Sequence, residues 1–202
     1  MSSLDLYRTL AGEGEGTLRE KGSRFIAIAF PMEDEAGFTE RLSLVRKQHA
    51  TARHACFAWV LGTDRSRAND DGEPSGTAGR PILQQIHAAG LITCGIIVVR
   101  YFGGTLLGKG GLVRAYGGAA RIALQDAGAV ERMMRTTVEV SCGYAVFDAM
   151  RIEVEQQQGA VIDATYAADC SARLALPRSL AQRFAERWRS RGAMVHIVGH
   201  TK

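Results

Sequence analysis

The stretch GIIVVRYFGGTLLGKGG, residues 95–111, changes character in its middle. Its first part, Gly95–Phe102, contains four consecutive β-branched residues, which favour a buried strand. Gly103–Gly111 follows as a glycine-rich loop, and Leu112–Ala127 predicts a helix that Gly128 closes as a C-terminal cap. A glycine-rich loop that leads into a helix exposes backbone N–H groups to an anion.

The loop nearly fits the phosphate-binding P-loop. Gly103, Gly108 and Lys109 satisfy the GxxxxGK spacing, but Gly110 stands where a Ser or Thr hydroxyl would hold Mg²⁺. No apolar strand ending in an acidic residue follows. The pattern therefore favours a weaker statement, an anion-facing loop, and the alternative is that these glycines only make a tight turn at positive φ.

Charge and composition limit the kinds of protein that this chain can be. The net charge is +4, and no acidic residue occurs from Gln84 to Gln125, where four cations lie. Such a stretch attracts anions, although a buried strand and helix also exclude carboxylates. Without a membrane-length apolar run or a signal peptide, we expect a cytoplasmic chain with no membrane partner. The four cysteines form no CxxC pair, so buried thiols are expected and no metal site is predicted.

Two further segments carry candidate chemistry. Tyr101 and Phe102 point to opposite faces of their strand, so one of them is free to stack a base beside Arg100, unless a covering helix buries it. The loop 70–77 holds three carboxylates and two hydroxyls, which suit Mg²⁺ or acid–base work or simply a solvated turn. His54 and Cys56 share a strand face and are either a nucleophilic pair or two core residues.

The remaining pattern predicts an α+β chain of two domains. Strands at 24–30 and 53–61 and helices at 33–48 and 81–89 precede the central strand, with one long polar loop at 62–79. Residues 136–198 follow the order βαββαβ, which is the ferredoxin-like pattern. We therefore predict domains at 1–130 and 136–202, with the boundary near 129–135.

Three separated motifs resemble a known family. They are KGSRF at 21–25, DDGEPSGTAGRPI at 70–82, and RYFGG followed by LLG at 100–108, and in this order they are similar to the signature of the IMPACT/YigZ family. The resemblance implies an N-terminal domain with the fold of ribosomal protein S5 domain 2. It also implies a ferredoxin-like second domain similar to the last domain of elongation factor G. The eukaryotic member of the family is a regulator of translation, although it carries an extra interaction domain.

The sequence therefore predicts a cytoplasmic regulator of translation or of the stress response that binds RNA or the ribosome without catalysis or cofactor. A protein partner is an additional possibility, and the oligomeric state is left open. The alternative is a Mg-dependent enzyme or nucleotide-binding protein that acts on a phosphorylated small molecule. The predicted binding residues are Asp70, Asp71, Glu73, Thr77, Arg80, Arg100, Tyr101, Phe102, Gly103, Gly104, Lys109, Gly110, Gly111 and Arg114.

Overall fold

The structure, a computed structural model, describes residues 5–201. Over that range the strands are β1 (Leu6–Leu10), β2 (Gly14–Glu20), β3 (Ser23–Pro31), β4 (His54–Leu61), β5 (Arg65–Asn69), β6 (Cys94–Tyr101), β7 (Ala129–Met133), β8 (Arg135–Cys142), β9 (Ala160–Tyr166), β10 (Cys170–Pro177) and β11 (Met194–Thr201). The helices are α1 (Glu35–Gln48), α2 (Gly79–Ala88), α3 (Gly108–Ala127), α4 (Tyr144–Gln156) and α5 (Arg178–Arg189). Within the described range, no helix combines the length and the apolar character that crossing a membrane requires.

The chain divides into two compact units, the first of which is Arg8–Glu131. Its main sheet has the order β2-β3-β6-β4-β5 with antiparallel neighbours throughout. The central strand β6 is buried on both faces: Ile96 and Val98 pack into one apolar cluster, and Ile97 and Val99 into another. A strand covered on both sides reads as a continuous hydrophobic run, which is what the sequence shows at this point.

Helices α2 and α3 contribute to one of these clusters, and α1 contributes to the other. Two glycines of β2 allow α3 to lie directly on the strand. A Cβ at Gly14 would lie 2.2 Å from the backbone nitrogen of Ala127, and one at Gly16 would lie 2.6 Å from the carbonyl oxygen of Ala119. The glycines therefore allow close packing between the backbones of β2 and the C-terminal half of α3.

The second unit joins the residues up to Tyr7 with the chain from Arg132 onward. Its four-stranded antiparallel sheet has the order β11-β8-β10-β9. The predicted order of strands and helices, βαββαβ, is present from β8 to β11. Phe147 of α4 and Phe184 and Trp188 of α5 are buried in its apolar cluster. Asp5 accepts a hydrogen bond of 2.8 Å from the backbone N–H of Ser179 at the start of α5.

Several elements differ from the sequence-based prediction. The polar segment 62–79 is not one loop, because β5 lies within it and pairs with β4. β5 is an exposed edge strand, so it lacks the alternating apolar residues that reveal a half-buried strand. The glycine-rich loop is also shorter than predicted, since α3 begins at Gly108. The prediction missed β1, β2 and β7 for the same reason, their mixed or polar composition.

Candidate functional site

A buried carboxylate links the loop that follows β5 to the rest of the first unit. The Glu73 side chain is only 3% exposed, and its Oε1 accepts hydrogen bonds from Arg100 Nη1 at 2.6 Å and from the Tyr116 hydroxyl at 2.8 Å. His54 Nε2 lies 4.0 Å from the same oxygen. A buried charge needs partners of this kind, because moving the charge out of water costs on the order of several kcal/mol, and hydrogen bonds and opposite charges offset that cost. The loop is therefore held in one position by β6 and α3.

Arg100 reaches Glu73 because of its place in the sheet. It lies near the end of β6, and its register partners on the neighbouring strands are Phe25 and His54. The guanidinium carbon lies 5.5 Å from the centroid of the Phe25 ring and 5.5 Å from that of Phe102. Its buried Nε has no hydrogen-bond partner among the described residues. Arg100 thus bonds Glu73 through Nη1, and its guanidinium also lies close to the rings of Phe25 and Phe102.

Asp70 organises the backbone of the same loop. Its carboxylate accepts hydrogen bonds from the backbone N–H groups of Gly76, Ala78 and Gly79 at 2.8–2.9 Å, and the last two belong to the start of α2. Burial opposes ionisation of Asp70, but the three N–H donors outweigh it, so the pKa of this carboxyl lies below its ordinary value. Asp70 is therefore a structural anion that caps a helix.

Asp71 faces a different set of partners. Its carboxylate accepts from the backbone N–H of Ala55 at 2.7 Å and from Arg46 at 2.6 Å, while its carbonyl oxygen bonds His54 Nδ1 at 2.7 Å. The carboxylates of Asp70, Asp71 and Glu73 thus each bind separate donors rather than a shared point. Among the described residues, no group of three His, Cys, Asp or Glu side chains is arranged to hold a metal ion.

The Cys56 thiol belongs to the same buried cluster, which consists of Glu73, Arg100, Tyr116, His54 and Cys56. Its Sγ donates to the carbonyl oxygen of Asp70 at 3.0 Å. Burial raises its pKa to about 12, opposed by a hydrogen bond with Tyr116 and reinforced by the carboxylate of Glu73. Burial, Cys56 and Glu73 likewise raise the pKa of Tyr116. Both groups are protonated at neutral pH and act as hydrogen-bond donors, so Cys56 and His54 do not form a catalytic thiolate–imidazolium pair there.

The turn between β2 and β3 meets the end of β6 at Gly103. The backbone N–H of Gly103 donates to Ser23 Oγ at 3.2 Å. A Cβ at Gly103 would lie 1.9 Å from the carbonyl carbon of Gly22, so only glycine fits there. This contact joins the motif at 21–25 to the motif at 100–108, and the Arg100–Glu73 bond joins both to the motif at 70–82. The structure therefore brings the three motifs together.

Tyr101 and Phe102 have different surroundings. The sheet is covered on both faces, and Tyr101 packs against the apolar cluster on the α1 side. There its hydroxyl bonds His49 Nδ1 at 2.8 Å, and the Arg24 guanidinium lies 4.7 Å from its ring centroid. Phe102 is 45% exposed. Of the two aromatic residues, Phe102 is the one whose ring surface is available to a ligand.

The glycine-rich loop is open to solvent. Gly104 and Gly108 have positive φ, and a Cβ at either would meet nothing within 4 Å. Leu106 between them is 83% exposed. Leu107 is the N-cap of helix α3 and provides no side-chain hydrogen bond, and the first turn of the helix has no acidic residue, so the positive end of the helix dipole is not neutralised by its own side chains.

The other predicted binding residues fall into three groups. Lys109 and Arg114 of α3 and Arg80 of α2 are exposed, and within residues 5–201 none of them takes part in an ion pair. Gly110 and Gly111 belong to α3 rather than to the loop. Thr77 is buried, and its hydroxyl donates to the Pro74 carbonyl at 2.6 Å, so it supports the loop and does not face a ligand.

Sequence reasoning did not place Phe25, His54 or Tyr116 beside Arg100 and Glu73, although it named His54 as a candidate partner of Cys56 and Phe25 as part of the motif at 21–25. Phe25 and His54 are the register partners of Arg100 on either side, which only strand pairing reveals. Tyr116 lies in the middle of α3, where a tyrosine among alanines and glycines gives no sign of its polar partner. An arginine inside the most apolar strand was the one available signal, because such a charge requires a buried partner.

Comparisons with known proteins show which proteins this chain is similar to. The model of the Impact N-terminal domain matches residues 21–124. The chain is 37% identical over 169 residues to the IMPACT family member YigZ of Escherichia coli, covering 82% of this chain and 83% of that protein. It is 38% identical over 157 residues to YvyE of Bacillus subtilis, covering 77% and 72%. A crystal structure of a hypothetical protein superposes with a TM-score of 0.72 at 33% identity and 96% coverage of both chains.

Proposed function

Because the chain belongs to the IMPACT family, we propose that it is a translation-related regulator that binds RNA, including the RNA of the ribosome, without catalysis. The bound RNA lies on one surface of the first unit, which we call the glycine-loop surface: Phe102–Leu107 with the exposed side chains of Lys109 and Arg114. We also propose that the first unit is related in fold to domain 2 of ribosomal protein S5, and the second unit to the ferredoxin-like domains of translation factors. We place the protein in the cytoplasm.

One observation carries this proposal: in the first unit the carboxylates of the loop after β5 bond internal donors, whereas two cations of α3 are exposed to solvent. The carboxylates of Asp70, Asp71 and Glu73 are engaged by internal donors. The cations Lys109 and Arg114 are exposed and lack carboxylate partners within the described chain. The surface therefore offers positive charge and free backbone N–H groups, which suit phosphate oxygens.

Phe102 adds a contact that a simple anion site does not need. Its exposed ring lies over the guanidinium of Arg100, and the Arg100–Glu73 bond restricts that guanidinium to one position. A ring fixed in this way is a stacking surface for an unpaired base. We therefore expect the ligand to be RNA with accessible bases, such as a loop or a bulge, rather than a regular duplex.

The experiment that tests this proposal measures the binding of fluorescent ribosomal RNA hairpins, and co-sedimentation with ribosomes, at several salt concentrations. Lys109→Ala combined with Arg114→Ala removes two phosphate contacts and reduces the steepness of log K against log salt by about 1.4, since each contact to a single strand contributes roughly 0.7. The matched control is Lys47→Ala, an exposed cation of α1 in the same unit. Wild-type protein that binds neither RNA nor ribosomes at low salt would contradict the proposal.

A second function, the binding of a nucleotide or phosphorylated metabolite, rests on the uncapped start of α3 beside Lys109. The inward carboxylates give it less support, since a magnesium-dependent reaction needs them near the loop. Thermal unfolding with ATP, GTP and Mg²⁺ distinguishes the two functions. A nucleotide that stabilises the wild type but not Lys109→Ala supports the second function, whereas stabilisation by RNA alone supports the first.

A further inference from the structure

Two cysteines of the second unit lie opposite each other on neighbouring strands. Cys142 ends β8, Cys170 begins β10, and the two are register partners in the antiparallel ladder. Directly opposed residues in such a ladder have Cα atoms about 4.5–5.5 Å apart. Natural disulfides join Cα atoms about 4.4–6.8 Å apart, so the strand pairing by itself meets the first geometric requirement for a bond.

Both thiols also point to the same side of the sheet. Burial alternates along each strand, and Cys142 and Cys170 fall on the buried phase with their neighbours in the apolar cluster of this unit. Burial raises the pKa of the Cys142 thiol, and the neighbouring Cys170 thiol raises it further, so the two side chains interact. The side chains therefore face each other across the strand pair rather than lying on opposite faces.

A bond between the two sulfurs requires only a small approach of their strands. Opposed Cβ atoms lie about 4.5–5.5 Å apart, and a disulfide needs about 3.5–4.5 Å. The two ranges meet at about 4.5 Å, so the Cβ atoms need to approach by roughly 1 Å or less. Both residues stand at the ends of their strands.

We propose that Cys142 and Cys170 form a reversible disulfide when the protein encounters a hydroperoxide. Cys142 is 7% exposed and Cys170 is fully buried, so the small oxidant meets Cys142 first. The Cys142 thiol gives up its proton as its sulfur attacks hydrogen peroxide, the O–O bond breaks, and the departing hydroxide takes up that proton as water, which leaves a sulfenic acid on Cys142. The sulfur of Cys170 then attacks the sulfenic sulfur, and its proton leaves with the hydroxyl as a second water. Two thiols are oxidised and one peroxide is reduced.

The other two cysteines of the chain provide an internal comparison. Cys56 and Cys94 are equally buried, but their strand partners are Val98 for Cys56, and Pro31 and Val60 for Cys94. Neither faces a second sulfur across its ladder. Burial alone therefore does not predict a disulfide in this chain, whereas opposition across β8 and β10 does.

The test treats the native full chain with hydrogen peroxide, unfolds it in acid, blocks the remaining thiols with N-ethylmaleimide and analyses the peptides by mass spectrometry. We expect a cross-linked pair of peptides that contains Cys142 and Cys170, two blocked thiols in place of four, and full recovery with dithiothreitol. The variant Cys142→Ser keeps its three remaining thiols. The variant Cys170→Ser lacks the resolving sulfur, so it forms no cross-link and loses the Cys142 thiol alone, as a sulfenic or more oxidised acid. The matched variants Cys56→Ser and Cys94→Ser still lose two thiols each.

Three outcomes would overturn the inference. The native wild-type chain could keep four thiols under conditions that oxidise the urea-unfolded chain. The cross-link could involve Cys56 or Cys94, or Cys142 of the wild type could be oxidised to sulfinic acid without joining Cys170. Because the decisive measurement uses the wild-type chain, a variant that fails to fold does not affect it. The result is independent of RNA binding by the glycine-loop surface.

Discussion

Arg100 and Glu73, which are 27 residues apart in the chain, form a hydrogen-bonded ion pair of 2.6 Å whose side chains are 7% and 3% exposed. The pair ties the loop after β5 to the central strand, and Tyr116 adds a bond from α3 to the same carboxylate oxygen. The position of Phe102 follows from it, since that ring lies over the Arg100 guanidinium. The glycine-loop surface is thus held in place by a buried polar cluster.

Removing Glu73 leaves the charge of Arg100 buried and unpaired. We expect Glu73→Ala to lower the free energy of unfolding by about 3–5 kcal/mol, the usual cost of breaking a buried pair. Urea denaturation measures it. The control is Glu40→Ala, an exposed carboxylate of α1, which changes stability by less than about 0.5 kcal/mol. If Glu73→Ala does not fold, Glu73→Gln keeps an acceptor for Tyr116 and loses less; equal losses for Glu73→Gln and Glu40→Ala would count against the cluster.

Asp70 gives the stability of the first unit a pH dependence of known sign. A carboxyl whose pKa is lowered on folding stabilises the protein above the pKa of the unfolded chain, near 3.8, and this contribution is lost as the pH falls through the folded value. Asp70→Asn therefore destabilises the protein at neutral pH, by about 0.5–2 kcal/mol for a lost helix cap. The difference from wild type shrinks as the pH falls below the ordinary value.

Urea unfolding at neutral pH and at several acid pH values checks this expectation, with the exposed Asp64 as the matched position for Asp64→Asn. A difference between wild type and Asp70→Asn that stays constant down to the lowest pH would show that the carboxylate charge plays no part in the cap.

Gly103 and Gly110 lie in one short segment but have different surroundings, because only Gly103 contacts another stretch of backbone. A Cβ at Gly103 would overlap the carbonyl carbon of Gly22 at 1.9 Å, whereas one at Gly110 meets only the flexible end of Arg114 at 3.6 Å. We expect Gly103→Ala to cost about 2 kcal/mol or more. Gly110→Ala, inside α3, should stabilise the chain by about 0.5–1 kcal/mol. Thermal and urea unfolding of both variants gives the comparison, and a similar effect of the two substitutions would contradict the contact.

Phe102 separates base stacking from general apolar contact. If it stacks on an unpaired base, Phe102→Leu weakens binding of an RNA hairpin loop by about 1–3 kcal/mol, while Phe102→Trp retains it. Binding of a perfect duplex should not change. Leu106→Ala, in the same loop and 83% exposed, is the control, and fluorescence anisotropy measures all three variants. Equal losses for Phe102→Leu and Leu106→Ala would assign the effect to apolar area rather than to stacking.

Much of the fold follows from local patterns in the sequence. The central strand, the helices and the βαββαβ order of the second unit come from runs of β-branched residues and from helical spacing of apolar residues. Edge strand β5 and strand β2 were missed, because exposed strands take their stability from pairing and close packing rather than from an apolar pattern.

The candidate site shows the same division. The sequence by itself determined which segments matter: the glycine-rich loop, the acidic loop and the aromatic pair are visible in the order of residues. Only the tertiary structure decided what each does, because burial and hydrogen bonding depend on neighbours that are distant in the chain. Glu73 became a buried anchor because β6 and α3 place Arg100 and Tyr116 beside it, and Phe102 became the exposed ring because α1 covers the face that holds Tyr101.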